Sequence, residues 1–201
     1  MGDMDLVTFG PGVGIKDNAG QSDTPSTSRR LLNLFFRLLL LVLSMPFKKP
    51  LGLLDSAELR FRVFPNDLDI YGHMNNGRYL TLMDLGRMDW IWRTGLGRAA
   101  RKNRWNPLVA SSTIRYKKSL TLWKRFTLRT RVIGWDEKWF YIEQVFKRRE
   151  RTVATAVVKG LFRGPAGNVL PEEVIRAMGQ KVDSPSLPDL VRLWVESESL
   201  K

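Results

Sequence analysis

The sequence predicts an α+β domain in which a curved antiparallel sheet wraps around one long central helix. Two observations lead to this prediction: one long helical segment that is apolar around most of its circumference, and five segments with the alternating pattern of half-buried strands. One strand precedes the helix and four follow it. A sheet that curls around the helix buries the apolar faces of both against each other. The 201 residues suit a single domain of this kind.

The first strand begins at Glu58, where apolar and polar residues start to alternate. An irregular segment over 65–76 follows, rich in Asp, Asn, Pro and Gly, and either Asn75 or Asn76 suits the N-cap of the next helix. One face of that helix carries large apolar residues and a glycine: Tyr79, Leu82, Met83, Gly86 and Trp90. Further apolar residues widen this arc, so the helix is expected to be buried: Leu80, Leu85, Met88, Ile91 and Trp92. Gly95 and Gly97 mark its end.

Four strands in a meander are predicted after the helix, over about 108–119, 124–134, 138–149 and 152–164. In the second of these, arginines and Thr127 alternate with apolar residues and Thr130, so the arginines are expected to face solvent or an anionic surface. Short helices are predicted at 171–179 and 187–196. The domain therefore spans 55–180, and 181–201 forms a C-terminal helical tail.

The N-terminal fifty residues divide into two parts. Residues 1–30 are rich in Gly, Asp, Ser, Thr and Pro and read as a disordered leader. Residues 31–50 form an apolar helix with basic flanks and an internal Arg37, and its run of fifteen apolar-rich residues is shorter than the about 20 that a membrane span needs. The helix either lies in the plane of a membrane surface or packs on the domain itself. No A-x-A-like cleavage site follows it, so we predict a cytoplasmic protein, peripheral at a membrane in the first case.

Composition excludes several kinds of site. The chain has no cysteine, which rules out disulfides, thiolate zinc sites and a cysteine nucleophile. A single histidine argues against a histidine-rich metal site, and we predict neither a metal nor a cofactor. The net charge of +13 indicates either a solvated basic surface or an anionic partner: the phosphates of coenzyme A, an anionic membrane, or a nucleic acid. Nucleic acid is not expected, because the sequence has no zinc spacing, helix-turn-helix pattern or aromatic-rich basic motif.

The segment Asp67–Leu80 carries the chemistry. It brings two acids two residues apart, the only histidine and a helix N-terminus within a dozen positions. A helix N-terminus offers unpaired N–H groups and a partial positive charge that can polarise a carbonyl. A carboxylate beside it can activate water or attack directly. Gly72 lets the backbone approach a ligand closely.

The pattern D-x-D-x-x-G-H-x-N-N-x-x-Y over 67–79 resembles the signature of the 4-hydroxybenzoyl-CoA thioesterase-like hotdog enzymes. Among these it is most similar to bacterial acyl-CoA thioesterases and to the thioesterase superfamily member (THEM-type) branch. The resemblance covers about 58–165 and implies a hotdog fold and hydrolysis of a fatty-acyl or related thioester. It implies Asp69 as general base or nucleophile, and backbone N–H groups near Gly72 and His73 as donors to the thioester carbonyl. The substrate-binding residues that it implies are Gly72, His73, Asn75, Asn76 and Tyr79.

The resemblance also implies a homodimer or dimer of dimers, with each active site at a subunit interface. Coenzyme A would lie toward the surface and the acyl chain in an apolar slot beside the central helix. A basic run suits the phosphates of coenzyme A if it lies at the rim of that slot, and it comprises Arg98, Arg101, Lys102, Arg104, Arg115, Lys117 and Lys118. The alternative function is that of a non-catalytic acyl-thioester or lipid-binding hotdog protein.

For several residues of this segment, a structural role is an alternative to a role in catalysis or substrate binding. Asp67 suits a loop-stabilising turn better than catalysis. His73 either orients the substrate or holds the loop, and Tyr79 is more often a core residue than a ligand. Because some family members place the catalytic acid on the central helix, Asp84 and Asp89 are alternatives to Asp69.

Overall fold

The computed structural model describes the backbone of residues 26–199 and the side chains of residues 34–198. Most of the predicted leader, 1–25, lies outside the described residues, and α1 already begins at Ser26. The helices are α1 (Ser26–Ser44), α2 (Asn76–Arg93), α3 (Leu96–Asn103), α4 (Pro171–Ala177) and α5 (Asp189–Ser199). The strands are β1 (Ala57–Arg62), β2 (Asn106–Tyr116), β3 (Arg125–Trp135), β4 (Phe140–Arg148), β5 (Arg151–Gly164) and β6 (Gly167–Val169). One-turn 3-10 helices cover Met45–Phe47 and Pro65–Asp67.

The strands form one antiparallel sheet in the order β1-β3-β4-β5-β2, with β6 paired to β5. The predicted meander is correct for β3, β4 and β5 but wrong for β2, which pairs with β5 rather than with β3. The reason lies in the connection that precedes β2. Helices α2 and α3 carry the chain across the sheet from the β1 edge, so β2 enters at the opposite edge. The curled sheet around α2 is the hotdog fold that the sequence predicts.

Helix α2 packs against the inner face of the sheet. The predicted alternation in β3 is confirmed, since Phe126, Leu128, Thr130 and Val132 are all buried. The amide of the fully buried Gln144 fixes this contact, because its Nε2 donates to the Met83 carbonyl and to the Thr130 hydroxyl, each at 2.9 Å. A buried amide with its partners present specifies one alignment of helix and sheet.

The opposite face of α2 is open, which corrects the prediction of a helix buried around most of its circumference. Leu80, Met88 and Trp92 are 43%, 40% and 55% exposed. Together with Asp84 these positions recur every fourth residue along one side of the helix, so they form a continuous exposed strip.

The N-terminal helix is expected either to pack on the domain or to lie at a membrane surface, and its two faces differ in a way that bears on this choice. On one face, Leu34, Leu38, Leu41 and Met45 pack against the core, so the helix does pack on the domain. Within the described part of the chain, no helix has the length and apolar character needed to cross a membrane. On the other face lies a row of exposed apolar residues that we call the outer stripe: Phe36, Leu40, Leu43 and Phe47.

The C-terminal helices appear where the sequence predicts them. Helix α5 covers part of the outer face of the sheet, where Val191 packs with Ile133 and Tyr141. Two further elements were not predicted: α3, which the basic segment after Gly95 forms, and the short β6. Gly95 breaks the chain between α2 and α3 because its φ of 78° lies in the left-handed region.

Candidate active site

Asp67 anchors the loop between β1 and α2 from the inside. Its side chain is 1% exposed, and Oδ2 accepts the backbone N–H of Phe64 at 2.9 Å and Nη2 of Arg37 at 2.6 Å. The Asp67 carbonyl accepts the N–H of Asn75 at 2.8 Å, which brings the two ends of the loop together. Asp67 thus has the environment expected of a residue that stabilises the loop, and both of its carboxylate oxygens are buried.

Asp69 builds a tight turn around its own carboxylate. Oδ1 accepts the N–H of Tyr71 at 2.9 Å and that of His73 at 3.1 Å. The Asp69 carbonyl accepts the N–H of Gly72 at 3.2 Å, and the Asp69 N–H donates to the His73 carbonyl at 2.8 Å. Gly72 closes the turn with a φ of 74°, which a residue with a Cβ adopts only with strain. Oδ1 is therefore fixed, while Oδ2 receives no hydrogen bond from the described residues.

These contacts correct one implication of the resemblance. The N–H groups of Gly72 and His73, expected to hold a thioester carbonyl, donate to the carbonyl and carboxylate of Asp69 instead. The physical reason is that the tight turn directs them inward, toward Asp69. The His73 imidazole is exposed at the edge of the turn.

The N-terminus of α2 supplies the remaining donor. Asn75 is the N-cap: its Oδ1 accepts the N–H of Gly77 at 2.8 Å, and its carbonyl accepts the N–H of Arg78 at 2.9 Å. The N–H of Asn76, the first residue of the helix, donates to no group in the described part of the chain. An unpaired N–H at the positive end of an 18-residue helix is a favourable position for a developing oxyanion.

Asp69 and the helix tip line one cleft of about 760 Å³, which we call the Asp69 cleft. It includes Asp69, Asn75 and Gly77, with Leu34 of α1 and Thr81 of α2 on its walls. The structure therefore brings together an acid and a helix N-terminus, which is the arrangement that the sequence predicts. Asn75 and Asn76 lie at this tip, and Gly72 and His73 in the adjoining turn.

Tyr79 lies beneath the site, in the core. It is 2% exposed and packs edge-on against Tyr116 and Phe146, with ring centroids 5.0 and 4.9 Å away. Burial, followed by the neighbouring Tyr116, raises the pKa of Tyr79 to about 12. Its ring therefore supports the helix tip from below, and its surroundings match the core alternative.

The two acids on α2 lie outside the Asp69 cleft. Asp89 is fully buried and forms ion pairs with Lys48 at 2.6 Å and Arg93 at 3.5 Å. Asp84 is exposed and pairs with Arg87, whose pKa burial lowers from its ordinary value although Asp84 opposes the shift. Neither carboxylate lies next to a helix N-terminus, since both are in the middle and last turns of α2.

An apolar slot of about 280 Å³ lies between α2 and the sheet. Its floor consists of residues from β4 and β5, including Phe140, Ile142 and Val158, and Leu108 and Val109 of β2 form one wall. Asp84, Arg87 and Met88 of α2 also line it. Its position beside the central helix is the position at which the resemblance implies an acyl slot, and none of the lining residues of this pocket also lines the Asp69 cleft.

The predicted basic run is divided between the two ends of α2. Four of its residues lie on or at the end of α3, which follows the C-terminus of α2. Arg115, Lys117 and Lys118 lie near the helix tip, because the adjacent Tyr116 donates to the Asn76 carbonyl at 3.3 Å. Since α2 is about 27 Å long at 1.5 Å per residue, one protomer does not present the seven residues as a single site.

Arg37 is a site residue that the sequence signature does not include. It comes from α1, thirty residues before Asp67, and besides that ion pair it donates to the Arg62 carbonyl at 3.0 Å. The signal in the sequence is a single charge inside an apolar run, which indicates a buried partner.

A family model described as "Thioesterase-like superfamily" matches residues 63–194. The chain belongs to this superfamily. The match covers about two thirds of the chain and includes the loop that carries Asp69.

Two relatives share more of the sequence. Protein THEM6 of Xenopus laevis is 39% identical over 135 residues, and that of Danio rerio is 36% identical over 165 residues. The matches cover 67% and 80% of this chain. They span 64% of the Xenopus protein and 80% of the Danio protein. The similarity to the THEM-type branch is thereby confirmed.

Solved structures share the fold. A probable thioesterase from Escherichia coli superposes with a TM-score of 0.57 at 20% identity and covers 60% of this chain and 95% of its own. A 1,4-dihydroxy-2-naphthoyl-CoA thioesterase from Synechocystis gives 0.53 at 11% identity, over 63% and 97%. Family and fold together support thioesterase-type chemistry for this chain.

Proposed function

We propose that the protein hydrolyses a fatty-acyl or related thioester of coenzyme A to the free acid and coenzyme A. The observation that carries the proposal is the position of Asp69 in a cleft with the N-terminus of α2. Oδ1 is held by two backbone N–H groups, and Oδ2 is left without a partner among the described residues. A carboxylate fixed through one oxygen presents the other in a defined direction, as catalysis requires.

In the mechanism we propose, the N–H of Asn76 donates to the thioester carbonyl oxygen and stabilises the oxyanion that forms there. Oδ2 of Asp69 takes a proton from a water molecule as the water oxygen bonds to the carbonyl carbon. The tetrahedral intermediate then collapses, the carbon–sulfur bond breaks, and the leaving thiolate takes back the proton that Oδ2 of Asp69 removed from water. Alternatively, Oδ2 attacks the carbon itself and water hydrolyses the resulting anhydride.

A thiol-release assay across a series of acyl-CoA substrates tests the proposal. The chain has no cysteine, so a thiol-reactive dye detects only the coenzyme A released. Asp69→Asn should lower kcat/KM by about 100-fold or more, the usual contribution of a general base, without altering the circular dichroism spectrum. Asp183→Asn, at an exposed position, is the matched control and should behave as wild type. A reduction by Asp84→Asn but not by Asp69→Asn would assign the base to α2.

Binding without turnover is the alternative outcome. The apolar slot could hold an acyl chain in a protein that performs no chemistry, since its lining is separate from the Asp69 cleft. Tight binding of a non-hydrolysable acyl-CoA together with no thiol release from any substrate would establish that function instead.

We infer that the active unit is a homodimer formed through the β2 edge. One side of β2 pairs with β5, and Val109 on this edge strand is 52% exposed. Met88 of the exposed strip of α2 lines the slot together with Val109, and the exposed Trp92 follows one helical turn later as a further apolar surface. Pairing of β2 with β2 of a second copy would cover both surfaces and enclose the slot.

Light scattering tests the dimer. The wild-type chain should give twice its 23.2 kDa mass. Val109→Lys, which places a charge on the strand edge, should shift the protein toward one chain mass. Thr113→Lys, elsewhere on the same strand, tests whether the effect is specific to the slot end. A wild-type mass of one chain would remove the dimer from the mechanism.

We also infer a peripheral position at a membrane, through the outer stripe of α1. Phe36, Leu40 and Leu43 repeat at helical spacing and are all exposed, and Phe47 beyond them is 88% exposed. The opposite face of the same helix is fixed to the domain, so the outer stripe is held in place for shallow insertion. Binding to phosphatidylcholine vesicles that Phe36→Ser/Leu40→Ser abolishes would support this inference.

A further inference from the structure

A basic groove of about 720 Å³ lies at one end of the sheet, where β1, β3 and β4 meet. Its basic residues include Arg60, Arg62, Lys124, Arg125, Lys147 and Arg148. No acidic residue lines it, and it shares no lining residue with the Asp69 cleft or the apolar slot. Such a concentration of one charge sign creates a field that attracts anions.

The strand register brings four of these cations close together on one face of the sheet. Arg62 of β1 is opposite Arg125 of β3, and Arg60 is opposite Thr127, which is itself opposite Lys147 of β4. Directly opposed residues share a face of the sheet, and like charges at such positions destabilise the pair. None of these cations forms an ion pair with a residue that the structure describes.

The same strands are neutralised a few residues farther on. Glu143 of β4 forms ion pairs with Arg131 at 2.8 Å and with Arg129 at 3.7 Å, and Glu58 of β1 is opposite Arg129. Among the described residues, the outer face of β3 therefore has acidic partners at one end and none at the other. Arg129 and Arg131 are neutralised by Glu143 within the protein, whereas the groove cations on the same sheet remain available to an external anion.

The groove adjoins the N-terminal helix. Arg37 of α1 donates to the carbonyl of Arg62, a groove residue, at 3.0 Å. Its guanidinium lies 5.4 Å from the ring centroid of Phe64, which packs edge-on against the groove residue Trp123. Trp123 is itself 54% exposed. Protein surfaces that bind the headgroup region of a bilayer combine such features: basic side chains, an exposed indole and an adjacent apolar helix.

We propose that the basic groove binds the phosphate headgroups of an anionic bilayer. This inference rests on the proposed membrane contact of the outer stripe and adds selectivity for negatively charged lipid to it. The outer stripe would supply affinity for any bilayer, and the groove a charge-dependent increment that salt screens. Hydrolysis at the Asp69 cleft does not depend on it, because the two sites share no residue.

Co-sedimentation of the full chain with two kinds of vesicle tests the proposal: phosphatidylcholine alone, and phosphatidylcholine with phosphatidylserine. The groove variant is Arg60→Gln/Arg62→Gln/Arg125→Gln/Lys147→Gln. The control variant, Lys138→Gln/Arg163→Gln/Arg176→Gln/Lys181→Gln, removes the same charge from exposed positions outside the groove. Each basic residue near an anionic surface contributes about a fivefold factor in affinity, so four should contribute roughly 600-fold.

The expected result is that the groove variant loses most of the phosphatidylserine-dependent increase and the control variant keeps it. Both variants should bind phosphatidylcholine vesicles and release coenzyme A as wild type does. If wild type binds the phosphatidylserine vesicles but not the neutral ones, and the groove variant binds neither, the groove proposal holds and the role of the outer stripe fails.

Equal losses in the two variants would overturn the proposal, because net charge alone would then explain binding. An increased KM for a soluble acyl-CoA in the groove variant, with vesicle binding unchanged, would assign the groove to the substrate instead. A salt-dependent gel shift with RNA that the groove variant abolishes, with no vesicle binding by wild type, would assign it to nucleic acid.

Discussion

Nη2 of Arg37 lies 2.6 Å from Oδ2 of Asp67, and this buried ion pair joins the N-terminal helix to the loop that carries Asp69. The two side chains are 11% and 1% exposed. Because Asp67 also accepts the Phe64 N–H and holds Asn75 through its carbonyl, displacement of α1 would act on both ends of the loop.

Arg37→Met should destabilise the protein by about 3 kcal/mol, since it leaves the buried Asp67 carboxylate with only the longer ion pair to Arg78 at 3.8 Å. The free energy of unfolding in urea measures this. Arg37→Met/Asp67→Asn should recover much of the loss, because the amide removes the buried negative charge and its oxygen can still accept the Phe64 N–H. Arg192→Met, in an exposed pair with Asp189, is the control and should cost less than about 1 kcal/mol. A similar loss of unfolding free energy in Arg37→Met and Arg192→Met would mean that the buried Arg37 ion pair stabilises the protein no more than the exposed one.

Gly86→Ala should destabilise the contact between α2 and the sheet. A Cβ at this position would lie 2.6 Å from the Thr130 hydroxyl and 2.9 Å from Nε2 of Gln144, closer than real contacts allow. Forcing these apart should cost about 1–3 kcal/mol in thermal or urea unfolding, despite the higher helix propensity of alanine. In α3, Gly97→Ala has its nearest contact at 3.4 Å, and we expect it to be neutral or stabilising. An equally stable Gly86→Ala would show that helix and sheet are not in close contact there.

The effect of replacing Gly72 should depend on whether the new residue tolerates the positive φ at this position. A Cβ there meets nothing within 4 Å, but the φ of 74° disfavours β-branched residues. Gly72→Val should therefore lose about 1–2 kcal/mol of stability and lower kcat by displacing the Asp69 carboxylate. Asparagine tolerates this φ, so Gly72→Asn should retain much more of both. Equal activity in the two variants would show that the turn does not hold the catalytic carboxylate.

Tyr79 should make the protein less stable at alkaline pH. Burial raises its pKa in the folded state to about 12, above the ordinary 10.0, so its contribution is fully present below pH 10 and is lost as the pH rises toward 12. Between these values the unfolded chain releases the proton that the folded chain keeps. Unfolding measured in urea across this range should show a shallower decline with pH for Tyr79→Phe than for wild type. Parallel curves for the two proteins would contradict the assigned shift.

The sequence predicted those features that depend on local pattern. Alternation in β3 gave its inner and outer faces, because successive side chains of a strand point to opposite sides wherever the strand lies. The loop signature placed Asp69 seven residues before the helix N-terminus, which limits their separation to about 25 Å, and its resemblance to a family signature implied that the two act together. The run of five strands and one helix likewise gave the fold class.

The features that the sequence could not supply depend on contacts between distant segments. The pairing of β2 with β5 follows from how α2 and α3 cross the sheet, and no local pattern records that path. Whether an apolar side chain such as Trp92 is covered depends on which face of α2 meets the sheet.

By itself, then, the sequence determined which residues alternate, which segment is helical and which loop carries the acid, since these follow from the geometry of neighbouring residues. Only the tertiary structure decided that Arg37 pairs with Asp67, that Asp69 takes up the N–H groups of its own loop, and that one end of β3 lacks the acids that neutralise the other. Each of these is a balance of charge and hydrogen bonds, and such a balance is fixed only when separate segments of the chain come within a few ångströms of each other.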